Sequence, residues 1–145
     1  MDPLSVTAGI IGILATATKL GNILHGTIST TKNAPRILLS LMSEVYEVQA
    51  ALSSLHILIK DLSSARPHRA ALIQLDYLIV TLTESILTLS ELENIIAPIA
   101  APLGAKVPLT ARLKLARAEG SCVKIVERLQ RHKSSMSLML NILQW

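Results

Sequence analysis

LSVTAGIIGILATATKLGNILHGTI, residues 4–28, carries one full charge, Lys19, and four of the chain's six glycines. At about 100° per residue, Val6, Ile10, Ile13, Leu14, Ala17, Leu20, Gly21, Leu24 and Ile28 share one helical face. The opposite face is Ala8, Gly12, Ala15, Thr16, Thr18 and Asn22, small and weakly polar where a surface helix would be charged. Leu4, Ile11 and Ile23 lie off the stripe. A helix apolar on one side and bland on the other is either packed among partners or built to leave water when triggered. The rest of the chain reads as the container for this segment.

The container is aliphatic. The 145 residues suffice for one domain with a single core and are too few for two. Half the residues are hydrophobic and 17% are charged, with no Phe, one Trp and two Tyr. The core therefore has to be Leu, Ile, Val, Ala and Met. The lone cysteine, Cys122, excludes an internal disulfide framework, fits a reducing compartment, and sits on an apolar face as a small buried thiol. Net charge is +4, unevenly placed. Residues 1–105 hold six Lys or Arg against eight Asp or Glu, while residues 106–145 hold eight against two, so the last third is the basic part.

Asp2 and Pro3 stand where a signal peptide would have a positive n-region, although Ala15-Thr16-Ala17 imitates a cleavage site. From Leu4 to Thr18 only 15 residues precede Lys19. At ~1.5 Å per residue these cover about 22 Å, short of a ~30 Å hydrocarbon core. The segment is too short by this measure to span a bilayer constitutively, yet apolar enough to insert under provocation.

Three further helices follow. After a polar turn at 29–33, Asn33 offers a cap and Pro35 a first-turn residue. The second helix then carries Leu38, Leu41, Val45, Val48, Leu52, Leu55, Ile59 and Leu62 in steps of three and four, the seam of an antiparallel bundle. Residues 63–67 break it. The third repeats the device with Leu72, Leu75, Ile79, Leu82, Ile86 and Leu89, until Pro98 stops it. Pro98, Pro102, Gly104 and Pro108 mark a connector. From Leu109 the chain is helical again, with Gly120-Ser121 expected as a bend or break. A final seam follows through Cys122, Ile125, Val126, Leu129, Met136, Met139, Leu140 and Leu143. The expected fold class is all-α, a single bundle of four to five helices over 1–145, with segments 1–30, 34–63, 67–97 and 109–144.

Catalytic chemistry is not apparent. The GxxG at Gly9 and Gly12 lies in an apolar helix with no preceding strand and no following Lys-Ser/Thr, so close helix packing is its expected role. His25, His56, His68 and His132 share no ligand spacing, and one cysteine completes no zinc site. His132 reads as a packing residue beside the last seam. Glu44/Glu47 and Glu91/Glu93 read as solvated helix edges, not an acid/base pair. The chain is expected to be a non-enzyme without cofactor or metal. Arg112, Lys114, Arg117, Lys124, Arg128, Arg131 and Lys133 form a basic array. Without interleaved aromatics it does not suit nucleic acid. An anionic bilayer surface suits it better, at about 1 kcal/mol for each nearby Lys or Arg.

Met1-Asp2-Pro3-Leu4-Ser5-Val6, then Gly9-Ile10-Ile11-Gly12-Ile13-Leu14, and the late Glu127-Arg128-Leu129-Gln130-Arg131-His132-Lys133-Ser134-Ser135 resemble the fungal HeLo-like N-terminal domain. The resemblance covers essentially the whole chain. That domain heads NLR-type (NACHT or NB-ARC) receptors and ankyrin-repeat proteins, and is related to the HeLo domain of a fungal prion-controlled toxin and to the necroptosis executioner bundle. The resemblance implies a helical bundle that oligomerises at a membrane and releases its N-terminal helix to permeabilise it. Carried over here, Leu4, Val6, Gly9, Ile10, Ile11, Gly12, Ile13, Leu14, Ala17, Leu20 and Leu24 would insert. Where relatives often have a charged helical run, this chain has Ala118-Glu119-Gly120-Ser121-Cys122, which adds to the expectation of a break there. No receptor or repeat region is present, so the chain reads as an isolated domain or a stand-alone protein.

The functional expectation is a cell-death execution domain, cytoplasmic and moving to the plasma membrane on activation. Its partners would be anionic lipids, further copies of itself and an NLR-type receptor. The alternative is a soluble oligomerisation or adaptor module that never enters a bilayer. An adaptor calls for charged, specificity-bearing surface on the first helix, which has almost none.

Overall fold

Pro3 heads the first helix, where a proline forfeits no intrahelical hydrogen bond and already has helical φ. The computed structural model describes residues 3–30, 35–64, 69–98 and 109–143. They form four helices: α1 (Pro3–Thr30), α2 (Arg36–Ser64), α3 (Arg69–Ile96) and α4 (Leu109–Leu143). No strand occurs among the described residues, and the fold is an all-α bundle. At the start of α2 the Leu38 N–H donates to the Pro35 carbonyl at 3.0 Å, satisfying one of the donors a helix start leaves orphaned. The expected Asn33 cap and the connector residues Pro102, Gly104 and Pro108 lie outside the described residues.

Each helix packs on two others: α1 on α2 and α3, α4 on α2 and α3, leaving α1/α4 and α2/α3 as the diagonals. Thr18 of α1 meets Gln49 of α2, and Gly21 meets Tyr46, so these helices run antiparallel. Thr88 and Glu91 of α3 meet His132 and Arg128 of α4, again antiparallel. Lys19 pairs with Glu93 while Gly9 and Gly12 lie beside Ile79 and Ile86, which makes α1 and α3 parallel.

The α2 seam is in place: Leu38, Leu41, Val45, Val48, Leu52, Leu55 and Ile59 are all buried. In α3 the buried line differs from the expected one by a register step. Leu82 and Leu89 are buried as expected, but the line runs through Leu78, Leu82, Ser85, Leu89, Leu92 and Ile96, with Thr81 and Thr88 beside it. Ile79 and Ile86 are only half-buried, at the edge facing α1. Hydroxyl residues enter this core because their polarity is met locally. Ser85 donates to the Thr81 carbonyl at 2.7 Å and Thr88 to the Glu84 carbonyl at 2.9 Å. The side chains of Leu62, Leu72, Leu75 and Leu143 lie outside those described.

The expected break at Gly120-Ser121 is not there; α4 is one uninterrupted helix. A mid-helix glycine costs about 1 kcal/mol relative to alanine. Burial of Cys122, Ile125 and Leu129 in the next turns more than offsets that.

The role expected for Gly9 and Gly12 also changes. A Cβ at either would meet nothing within 4 Å, so neither is a close-packing residue within the bundle. The close approach is at Gly21, where a Cβ would stand 2.9 Å from the Tyr46 ring.

Candidate functional site

The stripe of α1 is spent on the core. Val6, Ile10, Ile13, Ala17, Leu20 and Leu24 are buried, and Leu14 is half-buried. Gly9, Ile11 and Gly12 face outward, Ile11 with 52% of its surface exposed, and the side chain of Leu4 lies outside those described. Ala8, Ala15, Thr18 and Asn22 complete an outer face with no charge other than Lys19. Thr16 folds its hydroxyl back onto the Gly12 carbonyl at 3.2 Å, which lowers the polarity of that face further.

Counting only to Lys19 understates the apolar stretch. The helix continues past it, and Ser5–Ser29, 25 residues, is long and apolar enough to cross a membrane by length and composition, with a third of it buried. Lys19 is tied to Glu93 of α3, and Thr18 accepts from Gln49 of α2 at 3.0 Å. An ion pair this exposed is worth about 0–1 kcal/mol, so burial of the stripe, not the pair, holds α1 in place. A cleft of about 430 Å³ separates α1 from α3, floored by Gly9 and Gly12 and walled by Ile13, Ile79, Leu82 and Ile86.

The basic array does not form one surface. Lys114, Arg117, Lys124 and Arg131 are exposed, without a hydrogen bond or ion pair among the described residues. Arg128 and Lys133 are structural. Arg128 binds Glu91 through Nη1 and the Thr88 hydroxyl through Nη2 at 3.0 Å. Lys133 bridges Glu47 and Glu44 of α2. The Arg112 side chain lies outside those described.

Glu44 corrects its expected role as a solvated edge: it is buried, accepting from Lys133 at 3.3 Å and Gln130 at 3.2 Å. The Lys133 hydrogen bond holds the Glu47 carboxyl below the usual carboxylate range, and the same contact raises Lys133. Arg128 does the same for Glu91. Cys122 is a buried thiol, pushed up by burial and then by Glu119.

His132 is buried, and its Nε2 lies 2.9 Å from the Thr88 hydroxyl. That hydroxyl has one proton and gives it to the Glu84 carbonyl, while Arg128 can only donate. All three contacts are hydrogen bonds when His132 carries its proton on Nε2. Burial lowers its pKa, with Glu84 opposing and Arg128 and Arg131 reinforcing, so the neutral ring is favoured. Glu84, Thr88, Arg128, Arg131, His132 and Ser135 line a second cleft of about 430 Å³ between α3 and α4. The sequence reading did not assemble this cluster. Its signal was there in polar residues at 84, 88 and 91, one helical line through a mostly apolar helix.

Among the described residues no group of three His, Cys, Asp or Glu side chains is placed to hold a metal ion. No family model, curated protein or solved structure matches this chain.

Proposed function

We propose that the chain is a membrane-permeabilising domain of the cell-death execution type, as its HeLo-like sequence features imply, with α1 as the inserting element. The observation that carries this reading is α1 itself: long and apolar enough to cross a bilayer, yet only a third buried. A helix that serves only a core shows water a charged face, and this one shows alanine, glycine, threonine and isoleucine.

Withdrawing Val6, Ile10, Ile13, Leu20 and Leu24 from the core costs about 8–15 kcal/mol at ~1.5–3 kcal/mol each. Only another apolar medium returns that free energy, so release of α1 is coupled to a bilayer or to further copies of the chain. Lys19 near the middle of the segment adds about 2.5–3.5 kcal/mol unless it snorkels or pairs within an oligomer. The exposed cations Lys114, Arg117, Lys124 and Arg131 supply attraction to an anionic cytoplasmic leaflet. In this reading the protein rests in the cytoplasm, is triggered by an NLR-type receptor, and self-associates at the plasma membrane. The test is dye release from phosphatidylglycerol-containing liposomes, with phosphatidylcholine liposomes as the comparison.

Burial of the α1 stripe favours a second reading, in which α1 stays in the bundle. The domain is then an adaptor, associating through exposed Ile11, Tyr77, Val80 and Leu87. Concentration-dependent self-association without dye release from either liposome supports it.

A further inference from the structure

The α3–α4 cleft holds cations and anions in balance. Arg128 and Arg131 of α4 line it with Glu84 of α3, and Glu91 of α3, outside the lining, neutralises Arg128 by pairing with it. On α4 itself Lys124 and Glu127 are exposed one turn before Arg128 and Arg131 respectively, and their opposite charges cancel. Glu44 and Glu47 of α2 are tied by Lys133, and α1, with Lys19, makes no contact with α4. With His132 neutral, the two guanidiniums and two carboxylates sum to zero, and an anion gains little by entering. One proton on His132 gives the cleft a net single positive charge.

The ring is placed to make that change felt inside the cleft. Nε2 is taken by Thr88. His132 lines the cleft, and its Nδ1 makes no hydrogen bond among the described residues. The neutral ring offers an approaching anion a lone pair there, and the imidazolium offers an N–H donor. Arg131 and Ser135, both without partners among the described residues, supply further donors.

We infer that the α3–α4 cleft is a binding site for a singly charged phosphate diester, taken up together with one proton on His132. The single charge matches that of the protonated cleft. A diester has no second ionisation near neutrality, so the pH dependence belongs to the protein. Two sources offer this chemistry, a phospholipid headgroup and a free diester. The inference rests on the reading of α4 as the helix that meets anions, but it requires no insertion. Binding without dye release would fail the permeabilisation reading and leave this site standing.

The experiment follows the His132 imidazole by NMR titration of the full chain, alone, with dimethyl phosphate, and with phosphatidylglycerol or phosphatidylcholine vesicles. The site predicts that the diester raises the His132 titration midpoint. Affinity should fall up to about tenfold per pH unit above that midpoint, because one proton is bound per anion. Arg131→Gln should abolish the shift. Glu84→Gln, at an exposed position, should let the diester bind at neutral pH, because it leaves the cleft one charge positive without the proton. A response to dimethyl phosphate assigns the site to free diesters as well as headgroups. A response to phosphatidylglycerol vesicles alone assigns it to headgroups. An unmoved His132 midpoint with every probe, or equal shifts in wild type and Arg131→Gln, overturns the inference.

Discussion

Gly21 of α1 lies so close to Tyr46 of α2 that an added Cβ would stand 2.9 Å from Cε1 of the ring. The same atom added at Gly12 would stand in open space. Helix propensity alone favours alanine over glycine by about 1 kcal/mol at either site. Gly12→Ala should therefore stabilise the fold by about that amount. At Gly21 the displaced ring should cancel the gain or reverse it. Thermal melts check the contrast, and in a Tyr46→Ala background the two substitutions should become equivalent.

Truncation of the α2 seam should be severe. Leu52 is fully buried, and Leu52→Ala is expected to cost about 2–5 kcal/mol in denaturant unfolding. Leu82, 6% exposed and bordering the α1–α3 cleft, should fall at the lower end of the same ~2–5 kcal/mol range, since that edge already meets solvent.

The stability of the bundle should depend on pH in two windows. An unfolded histidine takes a proton near 6.5, and folded His132 only at lower pH. Between the two the unfolded chain binds more protons, so stability falls as pH drops below 6.5 and levels off beneath the folded value. His132→Gln should remove this slope. Glu47 and Glu91 are lowered from 4.5, so what they contribute is present above that pH and lost as acid protonates them in the fold. Thermal melts from pH 8 to pH 3 should show both steps.

The basic residues should separate by function. Replacing Lys114, Arg117 and Lys124 with Gln should weaken binding to anionic vesicles by about 1 kcal/mol each at low salt, and by less as salt screens them. Lys133→Gln should instead lower stability, because it leaves the buried Glu44 without its cation. Vesicle sedimentation and thermal melts distinguish the two.

The bundle was legible in the sequence because apolar spacing determines which faces meet. Most of the α2 seam and of the α1 stripe could be read this way, with Leu14 and Ile28 turning out half-buried and Thr27 buried in their place. The α3 line could not, because Ser85 and Thr88 look polar and only the fold shows their hydroxyls spent on carbonyls one turn back. Gly120 pointed to a break because sequence displays its propensity cost without the burial that follows it. The charged sites were the least legible. Lys133 and Lys124 look alike along the chain, and which one meets a carboxylate depends on helix α2 lying beside α4.

Dye release by Gly12→Glu tests insertion of α1 most directly. Gly12 is exposed and its Cβ position is open, so glutamate should leave the circular dichroism spectrum and melting behaviour of the bundle essentially intact. In hydrocarbon the same carboxylate costs a few kcal/mol, on the order of 2.5–3.5, and the cost recurs in every protomer. Insertion of α1 predicts that wild type empties phosphatidylglycerol liposomes while the folded Gly12→Glu protein does not. Equal release by the two would contradict it.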